Sequence, residues 1–449
     1  MDRRKFVKNA GYTTGMVAVA PVALKNFVNR SPNDTLNVAV VGISGSNRPR
    51  VRGMIGGRGM VHVNTYAGIP NVRVAAICDV DERLLPGAAA EVEKLFGQKP
   101  RTEVDFRKLI EDKDIDIISV ATPDHWHALQ TVWACQAGKD VYVEKPAHQL
   151  VAEGKKMIEA ARKYDRIVQN GITWRSSKAT KEGVKFIADG KLGDVYMARG
   201  IVFRHRASIG HMEDGPIPEG VHWDMFLGPA PYRPFNENRY IYQWHWNWDT
   251  GTTEFGNNGI YRMDGARWAM NIDTHPVKIH CSGGLYGRKD DQEVPNVLSA
   301  TYEYEDGKII QNEVRSLYTN PEGVEKHNGT FIYSDEGWMA LTGGNFKTYF
   351  GKNNEPGPAM SDADLPDEEK TNGWKNFVDC VRSRKMEDLD CDIAEGHLSA
   401  SLGHLGNIAY RTGRKMTFDP NTEKFVKDKE ADAYLTRDYR APYVMPEKV

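Results

Sequence analysis

The sequence has 449 residues, of which 40% are hydrophobic and 27% charged, and its net charge is −2. That length exceeds one typical core and predicts two domains, and the composition is that of an ordinary globular protein. A near-neutral balance excludes the charge signature of nucleic-acid or membrane-surface binders.

The five cysteines (Cys78, Cys135, Cys281, Cys380 and Cys391) are scattered with no Cys-x-x-Cys spacing, so neither a disulfide framework nor a zinc site is supported. Ten Trp and nineteen Tyr suit carbohydrate or aromatic ligands, and equally a large core. At the start, Asp2-Arg3-Arg4-Lys5-Phe6-Val7-Lys8 precedes an uncharged run from Asn9 to Leu24. This reads as an export signal, since a membrane span needs about 20 strongly apolar residues. The paired arginines before Lys5-Phe6 resemble a twin-arginine signal, which predicts a periplasmic protein; the alternative is a cytosolic chain with a frayed basic tail. Ala18-Val19-Ala20 has a small-x-small pattern but precedes Pro21, leaving the cleavage site open.

A polar break over Asn29 to Thr35 leads into the folded body. Strands are expected at Leu36–Val41, Val72–Cys78, Ile115–Ala121 and Val141–Val143, with helices at Glu82–Phe96, Phe106–Glu111 and His125–Ala137 between them. Such alternation predicts a parallel, doubly wound sheet. A helix over Ala152–Tyr164 and a strand over Ile167–Gln169 complete it. Beyond about residue 175 strands dominate: Val195–Phe203, Val277–Ser282, Leu298–Tyr304, Ile309–Val314, Gly329–Tyr333 and Gly337–Thr342. Glu305-Asp306-Gly307-Lys308 reads as a hairpin turn. The fold class is thus α/β, a Rossmann domain at 35–170 after a signal and linker at 1–34, then an α/β domain at 171–449 with an open, largely antiparallel sheet. Asn372–Ser383 and Ile393–Thr412 return to helical periodicity.

The first strand runs into Gly42-Ile43-Ser44-Gly45, and Gly56-Gly57-Arg58-Gly59 follows. Glycines at a strand-to-helix turn let backbone N–H groups approach a pyrophosphate, which makes Gly42, Gly45, Gly57 and Gly59 the candidate cradle. A clean G-x-G-x-x-G is absent. Asp79 lies twenty residues past Gly59 but thirty-seven past Gly42, as an insertion of Ser44 to Ile55 would produce. An acidic side chain ending the second strand can hold both ribose hydroxyls and repels a 2′-phosphate, which favours NAD over NADP, with Arg83 as a counter-signal. Thr122 and Pro123 at the third strand end can frame the nicotinamide ribose. His125 and His127 are either cofactor-edge or plain packing residues. No partner at ligand spacing accompanies them, so no metal is expected there.

The fourth strand ends at Glu144-Lys145-Pro146, where proline forbids continuation and partial burial can depress the lysine pKa toward proton-transfer range; Glu144 and Lys145 are also expected to contact the cofactor. The ordered set Cys78-Asp79-Val80-Asp81, Ala121-Thr122-Pro123-Asp124-His125-Trp126-His127 and Glu144-Lys145-Pro146 resembles the Gfo/Idh/MocA oxidoreductases. The similarity continues through Gln169-Asn170-Gly171 with Arg175-Ser176, Leu227-Gly228-Pro229-Ala230-Pro231, Trp246-Asn247-Trp248-Asp249 and Gly396-His397 to Arg411. The resemblance implies a Rossmann domain binding NAD, an open sheet packed on a partner subunit, sugar-like substrates, a cis bond at Lys145-Pro146 and a catalytic Lys145.

Many members carry Asp-x-x-x-His-x-x-Asp on a helix of the second domain. Here Asn257, Tyr261 and Asp264 stand at those positions, sharing a helical face. Tyr261 either exchanges protons beside Lys145, whose charge would lower the phenol pKa, or binds substrate while His222 or His245 does the proton work. Arg175, Trp174, Asn257, Asp264 and Trp246 are the candidate sugar contacts. Tyr240 to Trp248, if extended, would align its rings on one face. The function implied is oxidation of a sugar or glycoside hydroxyl with tightly held NAD. Two alternatives stand beside it: redox-neutral glycoside cleavage through a transient keto-sugar, and a non-catalytic sugar or nucleotide binder.

Overall fold

The computed structural model describes residues 34–43, 58–317 and 328–449; the arginine-pair segment, Gly45 and Gly57 lie outside them. Residues 35–449 form one compact unit. Its first sheet contains β1 (Leu36–Val41), β2 (Val72–Cys78), β3 (Arg101–Glu103), β4 (Ile117–Val120), β5 (Asp140–Val143) and β6 (Val168–Asn170). These run parallel in the order β3-β2-β1-β4-β5-β6. Four helices and a short fifth alternate with them: α1 (Gly59–Ala67), α2 (Leu85–Phe96), α3 (Arg107–Ile110), α4 (Asp124–Gln136) and α5 (Val151–Lys163). Strands buried on both faces explain the near-continuous apolar runs in β1, β4 and β5.

The order reverses between β1 and β4, and such a switch point opens a crevice at the carboxyl ends of the strands. Little space separates the backbones there. A Cβ on Gly42, whose φ is +85°, would lie 2.6 Å from the Ala121 carbonyl oxygen, so glycine alone fits.

The second sheet has ten strands: β7 (Val195–Phe203), β8 (Lys278–Gly284), β9 (Val297–Glu303), β10 (Ile309–Arg315), β11 (Asn328–Ser334), β12 (Gly337–Leu341), β13 (Asn345–Phe350), β14 (Glu355–Ser361), β15 (Met416–Asp419) and β16 (Lys424–Phe425). Among the described residues its strand pairings are antiparallel except β7 with β10. The expected hairpin joins β9 to β10, with Tyr304 N–H donating to the Lys308 carbonyl and Gly307 at φ +86°. Helices α6 (Lys178–Ala188), α7 (Trp223–Leu227), α8 (Ile260–Ala269), α9 (Gly373–Ser383) and α10 (Ile393–Thr412) accompany it. Val202, Ile279, Leu298 and Ile310 pack with Met263 of α8 and Leu402 and Leu405 of α10 in one core. Ile201 and Phe203, with the opposite strand parity, join Phe331 and Trp338 in a separate cluster on the other face.

The core of the first sheet is not closed by its own segment. Trp374, Phe377, Val378 and Val381 of α9 pack with Val38, Val40, Ile77 and Tyr142, and Trp374 stacks on Tyr142 at 4.9 Å. Tyr443 and Met445 join Trp126 and Leu129. Among the described residues no helix is long and apolar enough to cross a membrane.

Candidate active site

At the switch point a cleft of about 390 Å³ is lined by Gly42, Asp79, Thr122, Pro123, His127, Glu144 and Lys145 from the first sheet's strand ends, and by Asn257, His245, Tyr242 and Trp244 from the second domain. The ends of β1, β2, β4 and β5 thus open on one cavity.

The end of β1 and the start of α1 approach closely. The α1 helix begins at Gly59, where a Cβ would fall 2.1 Å from the Gly42 carbonyl oxygen. Helix and strand end therefore touch, leaving backbone rather than side chain at the crevice. Asp79, buried at the end of β2, accepts from Ile43 N–H and Asp81 N–H, both at 3.0 Å, which fixes the turn beside it. Arg83 pairs with Asp81 through two 2.8 Å contacts, so this candidate for a 2′-phosphate is engaged elsewhere. Gly42 and Gly59 in contact, with an acidic residue at the next strand end, fit NAD.

At the end of β5, Pro146 follows a cis peptide. Glu144 is 3% exposed, and its Oε1 accepts from Arg58 Nη2 at 2.9 Å and meets His62 Nε2 at 3.0 Å. Burial pushes its pKa up, but Arg58 and His62 together outweigh that and hold the carboxyl below its ordinary range. Glu144, expected to touch cofactor, is thus a fixed negative charge in front of α1. Arg58 and His62 were not singled out from the sequence. Their one signal is an i, i+4 spacing, which sets both on the face of α1 that meets β5.

Lys145 Nζ donates to the Asn257 carbonyl at 2.7 Å and to Asn257 Oδ1 at 3.3 Å. Asn257 lies in a π-turn, Phe255–Gly259, the kind of widened turn that recurs at functional sites. Burial lowers the lysine pKa, against the charges of Glu144 and Asp124, which raise it. A neutral amine has two N–H groups and one lone pair. In that form, with both N–H groups held by Asn257, the lone pair would be left for a substrate hydroxyl.

The Tyr261 ring centroid lies 5.8 Å from Lys145 Nζ, but the phenol pKa is not lowered. Burial and then the Glu144 charge push it up to about 12, overriding Arg58. This corrects the expectation of an activated phenol. His245 does line the cleft. Burial drives its pKa well down, and with Nδ1 donating to the Tyr242 carbonyl at 2.7 Å its Nε2 keeps the lone pair. Its ring stacks on Trp244 at 3.6 Å. His127, by contrast, spends its ring nitrogens on the carbonyls of Pro146 and Thr122, at 2.7 and 2.8 Å, and braces the two strand ends. Thr122 Oγ1 donates to Gln130 Oε1 at 2.8 Å.

Other expected site residues are placed elsewhere. His222 flanks α7 and meets Glu82 Oε1 at 2.5 Å, outside the cleft lining. Arg175 and Asp264 are buried and bind each other, Arg175 Nε lying 3.0 Å from both carboxylate oxygens, with Ser399 Oγ donating to Asp264 at 2.7 Å. They are a structural ion pair, not sugar contacts. Trp246 is 3% exposed, donating to Gln243 Oε1 at 3.1 Å within a 3₁₀ turn, Gln243–Trp246. The aromatic run is therefore coiled, not extended: Tyr240, Tyr242 and Trp244 reach the cleft and Trp246 does not. Trp174 is half-buried and stacks on Tyr261 at 5.8 Å.

Residues 36–172 match the NAD-binding Rossmann fold of the Gfo/Idh/MocA oxidoreductase family, and residues 203–445 match that family's C-terminal alpha/beta domain. An alpha-N-acetylgalactosaminidase of Shewanella oneidensis is 31% identical over 169 residues, 36% of this chain and 37% of that protein. The chain thus spans little more than a third of the length of the curated relatives it matches, 37%. Among solved structures, the aldose-aldose oxidoreductase of Caulobacter crescentus complexed with glycerol superposes with TM-score 0.60 at 19% identity, covering 86% of this chain and 100% of that one. Levoglucosan dehydrogenase complexed with NADH and levoglucosan gives 0.61 at 15%, covering 86% and 99%. At such identities the likeness establishes the fold. Both matched parts line the switch-point cleft, and the chain belongs to the Gfo/Idh/MocA oxidoreductase family, residues 36–172 being that family's NAD-binding domain.

Proposed function

We propose that this chain is an exported, periplasmic NAD-dependent enzyme that oxidises a hydroxyl of a sugar or glycoside, with Lys145 as the proton acceptor. The observation that carries the reading is the Lys145 amine, held by Asn257 through two contacts at the mouth of the strand ends. When bound, NAD would supply the two-electron acceptor. Gly42, Gly59 and the N-terminus of α1 would hold its pyrophosphate, and Asp79 its ribose. Lys145 takes the hydroxyl proton through its lone pair, and the Nε2 of His245 is the second base within the cleft. The stacked, half-buried Trp174 and Tyr261 offer a ring platform beside the lysine. The second face of the ten-stranded sheet, with Tyr333 and Trp338 partly covered, suits packing on a second copy of the chain.

A second reading, redox-neutral glycoside cleavage, is supported by the 31% identity to an alpha-N-acetylgalactosaminidase. There the same lysine would deprotonate the hydroxyl, and a base in the cleft would remove the C–H proton acidified by the neighbouring ketone. Denaturing the purified protein and identifying released nucleotide tests the shared premise; no NAD released or rebound refutes both readings and leaves a binder. With NAD present, sugars and aryl glycosides are offered in turn. Ketone and NADH accumulating support oxidation, whereas aglycone release without net NADH, with solvent deuterium at the carbon beside the transient ketone, selects cleavage. Lys145→Met is expected to lower turnover about 10²–10⁴-fold in either case.

A further inference from the structure

A second cluster of titratable side chains lies outside the cleft, where α10, the loop before β8 and the β15–β16 hairpin meet. His275, His397 and Glu423 each offer one ligand atom, all within 4.8 Å of one another. Glu423 Oε1 is 3.2 Å from His397 Nε2 and 3.3 Å from His275 Nε2. Ligand atoms about 2.0–2.1 Å from a tetrahedral zinc stand about 3.3–3.4 Å apart, so both separations equal edges of that polyhedron.

His275 is the independent observation. It is 3% exposed, and among the described residues neither of its ring nitrogens has a hydrogen-bond partner. Its Nε2 is at ion-pair distance from Glu423 without hydrogen-bond geometry, a costly arrangement for a buried imidazole and an ordinary one for two ligands of one cation. Glu423 Oε2 is likewise buried without a partner among the described residues.

The surroundings are those of a ligating histidine. With Nε2 directed at the cluster centre, His397 presents Nδ1 to His148 Nε2 at 2.9 Å, and His404 Nε2 bonds the His148 carbonyl at 3.0 Å. Metal-bound imidazoles are oriented in this way, through the opposite ring nitrogen. Space is reserved for the pair by Gly154 in the interior of α5, where a Cβ would fall 1.9 Å from His397 Nδ1. Lys155 Nζ, on the solvent side at 3.5 Å, is the one cation the described residues bring to Glu423 from outside the histidine cluster.

We propose that His275, His397 and Glu423 bind a divalent cation of the zinc class, separate from the NAD cleft, that clamps the β15–β16 hairpin to α10. Two imidazoles and a carboxylate suit zinc, with a water or the second carboxylate oxygen as fourth ligand.

The test uses the full chain, loaded with Zn²⁺ and exhaustively exchanged into metal-free buffer. Retention of about one zinc per chain, with a Tm that falls on chelation and returns on re-addition, is expected. Co²⁺ in place of zinc should show the visible d–d bands of a tetrahedral complex. Glu423→Gln should abolish retention and bands while NAD binding persists. Should that variant fail to fold, the wild-type Co²⁺ spectrum decides. No retained zinc together with only the aqua-ion cobalt spectrum overturns the proposal, as does retention unchanged in a folded Glu423→Gln protein.

Discussion

Asn257→Asp places a carboxylate where an amide oxygen now lies 3.3 Å from Lys145 Nζ. At an effective dielectric constant of about 20, a unit charge at that distance favours the ammonium form by about 5 kcal/mol, which at about 1.36 kcal/mol per pH unit is an upper bound just under 4 units. The new carboxylate would also face Glu254, whose Oε2 is 3.3 Å from Asn257 Nδ2, and their repulsion raises its own pKa and weakens its hold on the lysine. We expect a rise of about 2 pH units in the pH at which Lys145 becomes a free amine. The direction follows from charge: burial lowers the lysine pKa in the native protein, and a nearby anion opposes burial. The rate of acylation of Lys145 by an amine-reactive reagent, followed by peptide mass spectrometry across pH, measures this without a substrate. Once a substrate is in hand, kcat/KM should rise with pH through the same displaced midpoint. Asn257→Ala, which removes the Oδ1 contact, keeps the carbonyl one and adds no charge, should move the midpoint by less than about one unit. An Asn257→Asp profile superposing on the wild-type one would refute the view that Asn257 sets the protonation of Lys145.

Gly59→Ala must separate α1 from the turn after β1, because its Cβ would fall 2.1 Å from the Gly42 carbonyl oxygen. The expected cost is about 1–3 kcal/mol, with NAD affinity reduced at least about tenfold; calorimetric titration and a melt giving wild-type values would show that the cradle tolerates a side chain. Arg175→Met should destabilise the protein by up to about 3–5 kcal/mol in urea melts, since it takes the nearest cation from a buried Asp264 and leaves only Ser399 and, at 3.9 Å, Arg267, and it should leave the NAD Kd unchanged. Unaltered stability with a raised sugar KM would return Arg175 to the site.

Four strands of the first sheet, β1, β2, β4 and β5, are readable in the sequence, since each is an apolar run soon halted by glycine, aspartate or proline. Leu36–Val41, Val72–Cys78, Val195–Phe203 and Ile393–Thr412 have the bounds their patterns predict. Strands β13 and β14 do not show themselves. Glu355–Ser361 is mostly exposed and contains two prolines, and it becomes a strand through pairing with its neighbour rather than by burying a face. The run from Tyr240 to Trp248 misleads for a related reason: rings at every second position imitate a strand, yet the backbone turns at Gln243–Trp246. Pairings across long separations carry no local mark. Arg175 and Asp264 stand 89 residues apart, and each looks like a ligand contact until the other is seen. Glu144, Arg58 and His62 illustrate the same point inside the site, where the charge on Lys145's neighbour is fixed by a helix begun 86 residues earlier.

The closure of the first sheet by α9 and Tyr443 bears on how the protein is made. Val38, Val40, Ile77 and Tyr142 leave the ribosome more than two hundred residues ahead of Trp374 and Phe377, the side chains that cover them. A nascent NAD-binding half therefore waits with an open apolar face, and its docking helix arrives only after eight of the second sheet's ten strands, β7 to β14, have been synthesised. Completion of the nucleotide cleft is thereby timed to the late stages of translation, and a frameshift beyond residue 370 would injure the front of the molecule as surely as the back.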